Sequence, residues 1–94
     1  MPFPQQPPRA FTKEGIESLD PGQMGCYGIY KPGVWIYVGK GDIRARLLAH
    51  LNGDNPRITR QAPTQYVAVI THDYDNEEKR LIAELDPVCN RRLG

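Results

Sequence analysis

Cys26-Tyr27-Gly28-Ile29-Tyr30-Lys31-Pro32-Gly33-Val34-Trp35-Ile36-Tyr37-Val38 is the stretch whose reading decides the fold class. Two runs of β-branched and aromatic residues flank a Pro-Gly turn signal, which is the pattern of a β-hairpin. Side chains alternate faces along a strand, and directly opposed residues share a face. With Pro32 and Gly33 at the centre of the turn, Tyr30 pairs with Trp35 and Gly28 with Tyr37. One face then carries Gly28, Tyr30, Trp35 and Tyr37, and the other carries Tyr27, Ile29, Ile36 and Val38. The second face is the more apolar and is expected to meet the core. Tyr30 and Tyr37 become diagonal neighbours on the first, beside a glycine that leaves room for a ligand. A Pro-Gly type II turn does not match hairpin twist well. A shift of one residue in register would put the two tyrosines on opposite faces.

Working outward from the hairpin, Asp42 is a good N-cap for a helix from Ile43 to about Asn52, with Gly53 as its stop. Residues 53–64 contain Pro56 and Pro63 and read as a loop with room for one helical turn. Gln65 to Thr71 is a third strand. Asp75 or Asn76 can cap a last helix, Glu77 to Leu85, which ends before Asp86-Pro87. Upstream, Thr12 can cap a short turn over Lys13 to Leu19, closed by Asp20-Pro21-Gly22. Residues 1–9 are rich in proline and glutamine and read as a flexible arm that packs no core. Residues 1–22 are thus expected to be an arm and a helical turn, and residues 23–94 a folded domain of α/β (α+β) class. That domain would hold a small antiparallel three-stranded sheet flanked by helices.

Composition sets outer bounds. The 94 residues suffice for one small domain, and 39% apolar with 24% charged residues is ordinary for a globular protein. Its longest apolar run, Tyr66 to Ile70, is far short of the roughly 20 residues a membrane helix needs. Nothing at the N-terminus resembles a secretory signal. Cys26 and Cys89 therefore read as reduced thiols of a cytosolic protein. Net charge is only +1, so charge alone does not point to nucleic acid. If nucleic acid is the partner, Arg44, Arg46, Arg57, Arg60, Arg91 and Arg92 must be segregated onto one face.

The two helices place polar residues at the edges of apolar stripes. Ile43, Leu47 and Leu51 form an i, i+4, i+8 stripe, and Arg46 and His50 are i, i+4 partners along its margin. Taken alone, Arg46 is a solvated helix arginine, His50 a boundary histidine and Lys40 a turn lysine. In the last helix, Glu78 stands at the N-terminal end of the face formed by Leu81, Ile82 and Leu85, and a carboxylate there needs a reason. Asp75 followed by Glu78 has capping-box spacing. On helix chemistry alone, the cap and a metal site are equally good explanations.

Gly28-Ile29-Tyr30 followed by Tyr37-Val38-Gly39 resembles the ordered signature pair of the GIY-YIG nuclease family. The resemblance continues through Arg46, Leu47 and His50, then Glu78, Leu81-Ile82, Pro87 and Asn90, and spans about residues 24 to 92. It implies a small sheet flanked by helices and a metal-dependent endonuclease that hydrolyses phosphodiester bonds, DNA ahead of RNA. By carry-over, Tyr30 would be the general base or its close partner, and Tyr37 would orient water or phosphate. Arg46 would bind the phosphate, and Glu78 would hold Mg2+ or Mn2+. Lys40, His50, Asn90, Gly28 and Gly39 would support the site. Many relatives have a small residue four positions before the glutamate; this chain has Tyr74, which leaves Glu77 as an alternative ligand.

A zinc site from Glu78, His50 and His72 lacks paired-ligand spacing, and Gly39-Lys40-Gly41 lacks the spacing of a phosphate loop. The alternative to an enzyme is a catalytically silent module on the same fold that binds nucleic acid or a protein partner. The two readings separate on whether Tyr30, Tyr37, Arg46 and Glu78 line one cleft.

Overall fold

The bulge that sets the fold lies in the hairpin itself. In a computed structural model describing residues 3–90, strands β2 (Met24–Lys31) and β3 (Val34–Asp42) pair antiparallel around Pro32-Gly33. Gly33 takes φ +80°, the left-handed value that the third position of a type II turn requires. Tyr30 faces Trp35 as expected, but the next pair is Ile29 with Tyr37, so Ile36 is the extra residue of a β-bulge. The bulge absorbs the poor twist of the Pro-Gly turn, and it changes the face of every residue beyond it. Tyr37 lies with Ile29 and Tyr27, and Val38 lies with Gly28 and Cys26. The expected sharing of a face by Tyr30 and Tyr37 is therefore corrected by one inserted residue.

Both faces of the sheet are covered. Helices α1 (Lys13–Glu17), α2 (Ile43–Leu51) and α3 (Pro56–Arg60) pack on one side, where Ile16, Tyr27, Ile29, Ile36, Leu47, Ile58 and Tyr66 form the larger core. Helix α4 (Tyr74–Leu85) covers the other side, where Leu81 meets Cys26, Val38 and Val67. A fully buried leucine stabilises such a layer by roughly 1.5–3 kcal/mol. Caps follow the sequence closely at three helices: Thr12 accepts from Gly15 N, Asp42 from Ala45 N, and Asn55 from Arg57 N. No helix among the described residues is long and apolar enough to cross a membrane.

Three expectations change. The sheet has four strands in the order β1-β4-β2-β3, because Arg9–Ala10 (β1) pairs with β4 (Gln65–Ile70). The segment before β1 was expected to stay clear of the core, yet Phe3 is 6% exposed and stacks on Trp35 at 5.8 Å. Gln6 fastens it by bonding both the N–H and the C=O of Ala68. Proline keeps this stretch out of helix, but one buried aromatic and one bidentate amide are enough to dock it. Helix α4 begins at Tyr74, with Asp73 at its N-cap, so Asp75 and Glu78 lie inside it and form no capping box. Arg91 and Arg92 lie outside the described residues.

Candidate active site

The bulge delivers Tyr27, not Tyr30, to Tyr37. The two rings are 6.3 Å apart, and His50 from α2 stands against both, at 5.6 Å from Tyr27 and 5.1 Å from Tyr37. The Tyr27 hydroxyl lies 2.8 Å from His50 Nε2. Gly39 is opposite Tyr27 in the strand ladder, and a Cβ there would sit 2.3 Å from the Tyr27 Oη. The glycine is thus required by the ring that crosses it.

Arg46 stands one turn before His50, as its i, i+4 spacing demands. Its guanidinium lies beside the Tyr27 hydroxyl and 3.3 Å from Asp54 Oδ2, while its side chain remains 45% exposed. Glu78 reaches the cluster from α4. Its carboxylate is 20% exposed and 3.7 Å from Lys40 Nζ, and Lys40 also pairs with Asp75. Glu77 instead pairs with Arg80 along the outer face of α4. Glu78, not Glu77, is thus the carboxylate of α4 that acts on Lys40 and Tyr37.

Charges in the cluster are set mainly by burial. Desolvation pushes the Tyr27 phenol above its ordinary range, Tyr37 adds to that, and the Arg46 guanidinium opposes it. Tyr37 is raised by burial and then by the Glu78 carboxylate, with Arg46 again opposing. Burial lowers His50, and its hydrogen bond to Asp54 works the other way. Near neutral pH the group is two neutral phenols and a neutral imidazole, bordered by the Arg46 guanidinium and by the Asp54 and Glu78 side chains.

No family model and no curated protein matches the sequence. Solved structures do. The GIY-YIG N-terminal endonuclease domain of UvrC from Thermotoga maritima, bound to its catalytic divalent cation magnesium, is 26% identical, with a TM-score of 0.71 over 85% of this chain and 100% of that one. A tyrosine-to-phenylalanine variant of that domain, bound to its catalytic divalent cation, is 27% identical, with a TM-score of 0.71 over 86% and 100%. The chain is similar in fold and in sequence to the GIY-YIG endonuclease domain. Its antiparallel sheet flanked by helices is the GIY-YIG endonuclease-domain fold.

Within this GIY-YIG-like domain, not every residue singled out from sequence joins the cluster. Tyr30 lies on the opposite face of the sheet, 5.0 Å from Trp35 and packed toward the α4 core. Gly28 sits on that face too; a Cβ there would come within 2.9 Å of the Phe3 and Trp35 rings, so the glycine makes room for the N-terminal arm. Asn90 accepts from Val38 N at 2.8 Å and donates to Val38 O at 2.9 Å, closing the free edge of β3 beside the site. Tyr37, Gly39, Lys40, Arg46, His50 and Glu78 do stand together. Two residues were missed. Tyr27 stands on the hairpin face expected to meet the core, and the signal for it is Gly25-Cys26-Tyr27, a second Gly-x-Tyr tripeptide. Asp54 was signalled only by its i, i+4 spacing from His50.

Proposed function

We propose that this protein is a metal-dependent endonuclease that hydrolyses phosphodiester bonds in DNA, and that Tyr27 holds the position first read as Tyr30's. The observation that carries the reading is the convergence of Tyr27, Tyr37, Arg46 and Glu78 on a fold shared with a magnesium-bound endonuclease domain. Among the described residues, no group of three or more His, Cys, Asp or Glu side chains could hold a metal by itself. A single, largely buried carboxylate that still reaches solvent suits Mg2+ or Mn2+, since magnesium keeps several waters and is commonly held through one or two carboxylates plus substrate phosphate. Held by Glu78, the ion would supply Lewis-acid stabilisation of the phosphate and of the leaving oxygen.

The chain's own groups do the rest. Arg46 presents a planar fork to the phosphate and offsets charge that builds on it in the transition state. Tyr27 accepts the proton of the attacking water, and Tyr37 orients that water or the phosphate from the neighbouring strand. Lys40 keeps positive charge next to Glu78. Buried free thiols at Cys26 and Cys89 support a reducing, cytosolic location.

The test is incubation of the pure protein with duplex, branched and single-stranded DNA and with RNA, with and without Mg2+ or Mn2+. Cleavage that needs the ion supports the reading. Arg46→Ala should keep the fold and lose cleavage, and Arg46→Lys should be impaired because a point charge does not replace a fork. If no substrate is cut with either ion, the enzyme reading falls and the silent binding module takes its place.

A further inference from the structure

Asp54 follows α2 in a turn where Gly53 takes φ +89°, and its N–H returns to Ala49 O at 3.2 Å. That turn swings its carboxylate back along the helix. Oδ1 lies 2.8 Å from His50 Nδ1 and Oδ2 3.3 Å from Arg46 Nη2. A carboxylate only accepts, so Nδ1 of His50 must carry the hydrogen. In the neutral ring, Nε2 is then an acceptor. The Tyr27 hydroxyl, 2.8 Å away, must donate to it. His50 is 3% exposed, so water does not compete for either nitrogen. No other arrangement of protons on a neutral ring satisfies both contacts.

We infer that Asp54 is a positioning residue of the nuclease site: it fixes His50 in the Nδ1–H tautomer so that Nε2 can take the Tyr27 proton, and it holds the Arg46 fork in line. This rests on the nuclease reading given above. In the step it supports, the water oxygen bonds to phosphorus and the bond from phosphorus to the leaving oxygen breaks. The water proton passes to Tyr27 Oη while the proton of Tyr27 passes to His50 Nε2. The leaving oxygen takes a proton from solvent. The imidazolium that results is balanced by Asp54, so no buried charge is left unpaired. This arrangement removes the difficulty that a buried phenol is a poor base: Tyr27 never has to stand as a free phenolate.

The experiment pairs long-range 1H–15N NMR of the His50 ring with single-turnover cleavage of labelled DNA, on wild type, Asp54→Ala and Asp54→Asn. The expected spectrum of the metal-free wild type is that of an Nδ1–H tautomer with a slowly exchanging ring proton. Asp54→Ala should give a mixture of tautomers and fast exchange, with cleavage about 10²-fold slower, the low end of general acid–base effects. Asp54→Asn keeps the size of the side chain and guards against misfolding of the alanine variant; it should also slow cleavage, because it cannot balance an imidazolium. An Nε2–H tautomer in the wild type, or full cleavage by both variants, overturns the inference. The NMR result stands without any substrate, so a protein that shows the Nδ1–H tautomer but cuts nothing would sink the nuclease reading while leaving the assignment of Asp54 as the group that orients His50.

Discussion

Replacing Tyr27 and Tyr30 separately by phenylalanine tests the bulge and the site together. Tyr27→Phe keeps the ring, which is buried, and removes the hydroxyl that donates to His50 Nε2 at 2.8 Å. An acceptor in a side chain only 3% exposed is then left without its donor. An orphaned buried group costs about 1–3 kcal/mol. For a domain of this size each kcal/mol lowers the melting temperature by roughly 4–8 °C. Tyr30→Phe removes the hydroxyl of a half-buried residue on the far face of the sheet, and the ring contact with Trp35 at 5.0 Å survives. Its cost should stay within about 0.5 kcal/mol. Cleavage separates the two more sharply. Loss of a proton acceptor costs on the order of 10²–10⁴-fold, so Tyr27→Phe should be nearly inactive and Tyr30→Phe unchanged. Urea unfolding followed by far-UV circular dichroism gives the stabilities, and single-turnover cleavage of end-labelled DNA with Mg2+ or Mn2+ gives the rates. A dead Tyr30→Phe beside an active Tyr27→Phe would refute the placement of Tyr27 in the site and restore the unbulged hairpin.

Gly39→Ala should destabilise by about 1–3 kcal/mol, as overpacking does, and should also impair cleavage, since its Cβ would meet Tyr27 Oη at 2.3 Å; wild-type behaviour in both assays would show that the ring does not cross this glycine. Glu78→Gln forms no worse a cap, because Glu78 is not a capping residue; it should unfold close to wild type while losing Mn2+ binding by calorimetry, and retained binding would move the ligand elsewhere. Phe3→Ala should cost about 1.5–3 kcal/mol of burial energy and leave the cleavage rate per folded molecule intact, which a deletion of the first residues can check by the same unfolding curve. The pH dependence follows from His50, whose folded pKa is lowered from an ordinary 6.5 chiefly by burial. Below 6.5 the unfolded chain binds the proton first, so this contribution to stability should be fully present above 6.5 and fall as pH drops from there toward the folded pKa. His50→Gln should flatten that part of the curve, and an unchanged slope below pH 6.5 would assign it to other groups.

Local chemistry alone determined much of this protein. The caps at Thr12 and Asp42, the Pro-Gly turn and the apolar stripe of α2 depend on neighbours a few residues away, and each was legible before any fold was known. Arg46 and His50 share a face for the same reason, since helical period is a local property. The tertiary structure decided what depends on counting across strands and on distant contacts. The bulge at Ile36 is an answer to twist, which the sheet as a whole imposes, and it exchanged Tyr30 for Tyr27 beside Tyr37. The arm docks because Gly28 and Trp35, far away in sequence, leave a seat for Phe3. The start of α4 moved to Tyr74, so Glu78 faces Lys40 rather than a helix end. A strand's period of two makes one inserted residue reverse every face beyond it, whereas a helix tolerates an error of one residue at its end without turning its stripe away from the core.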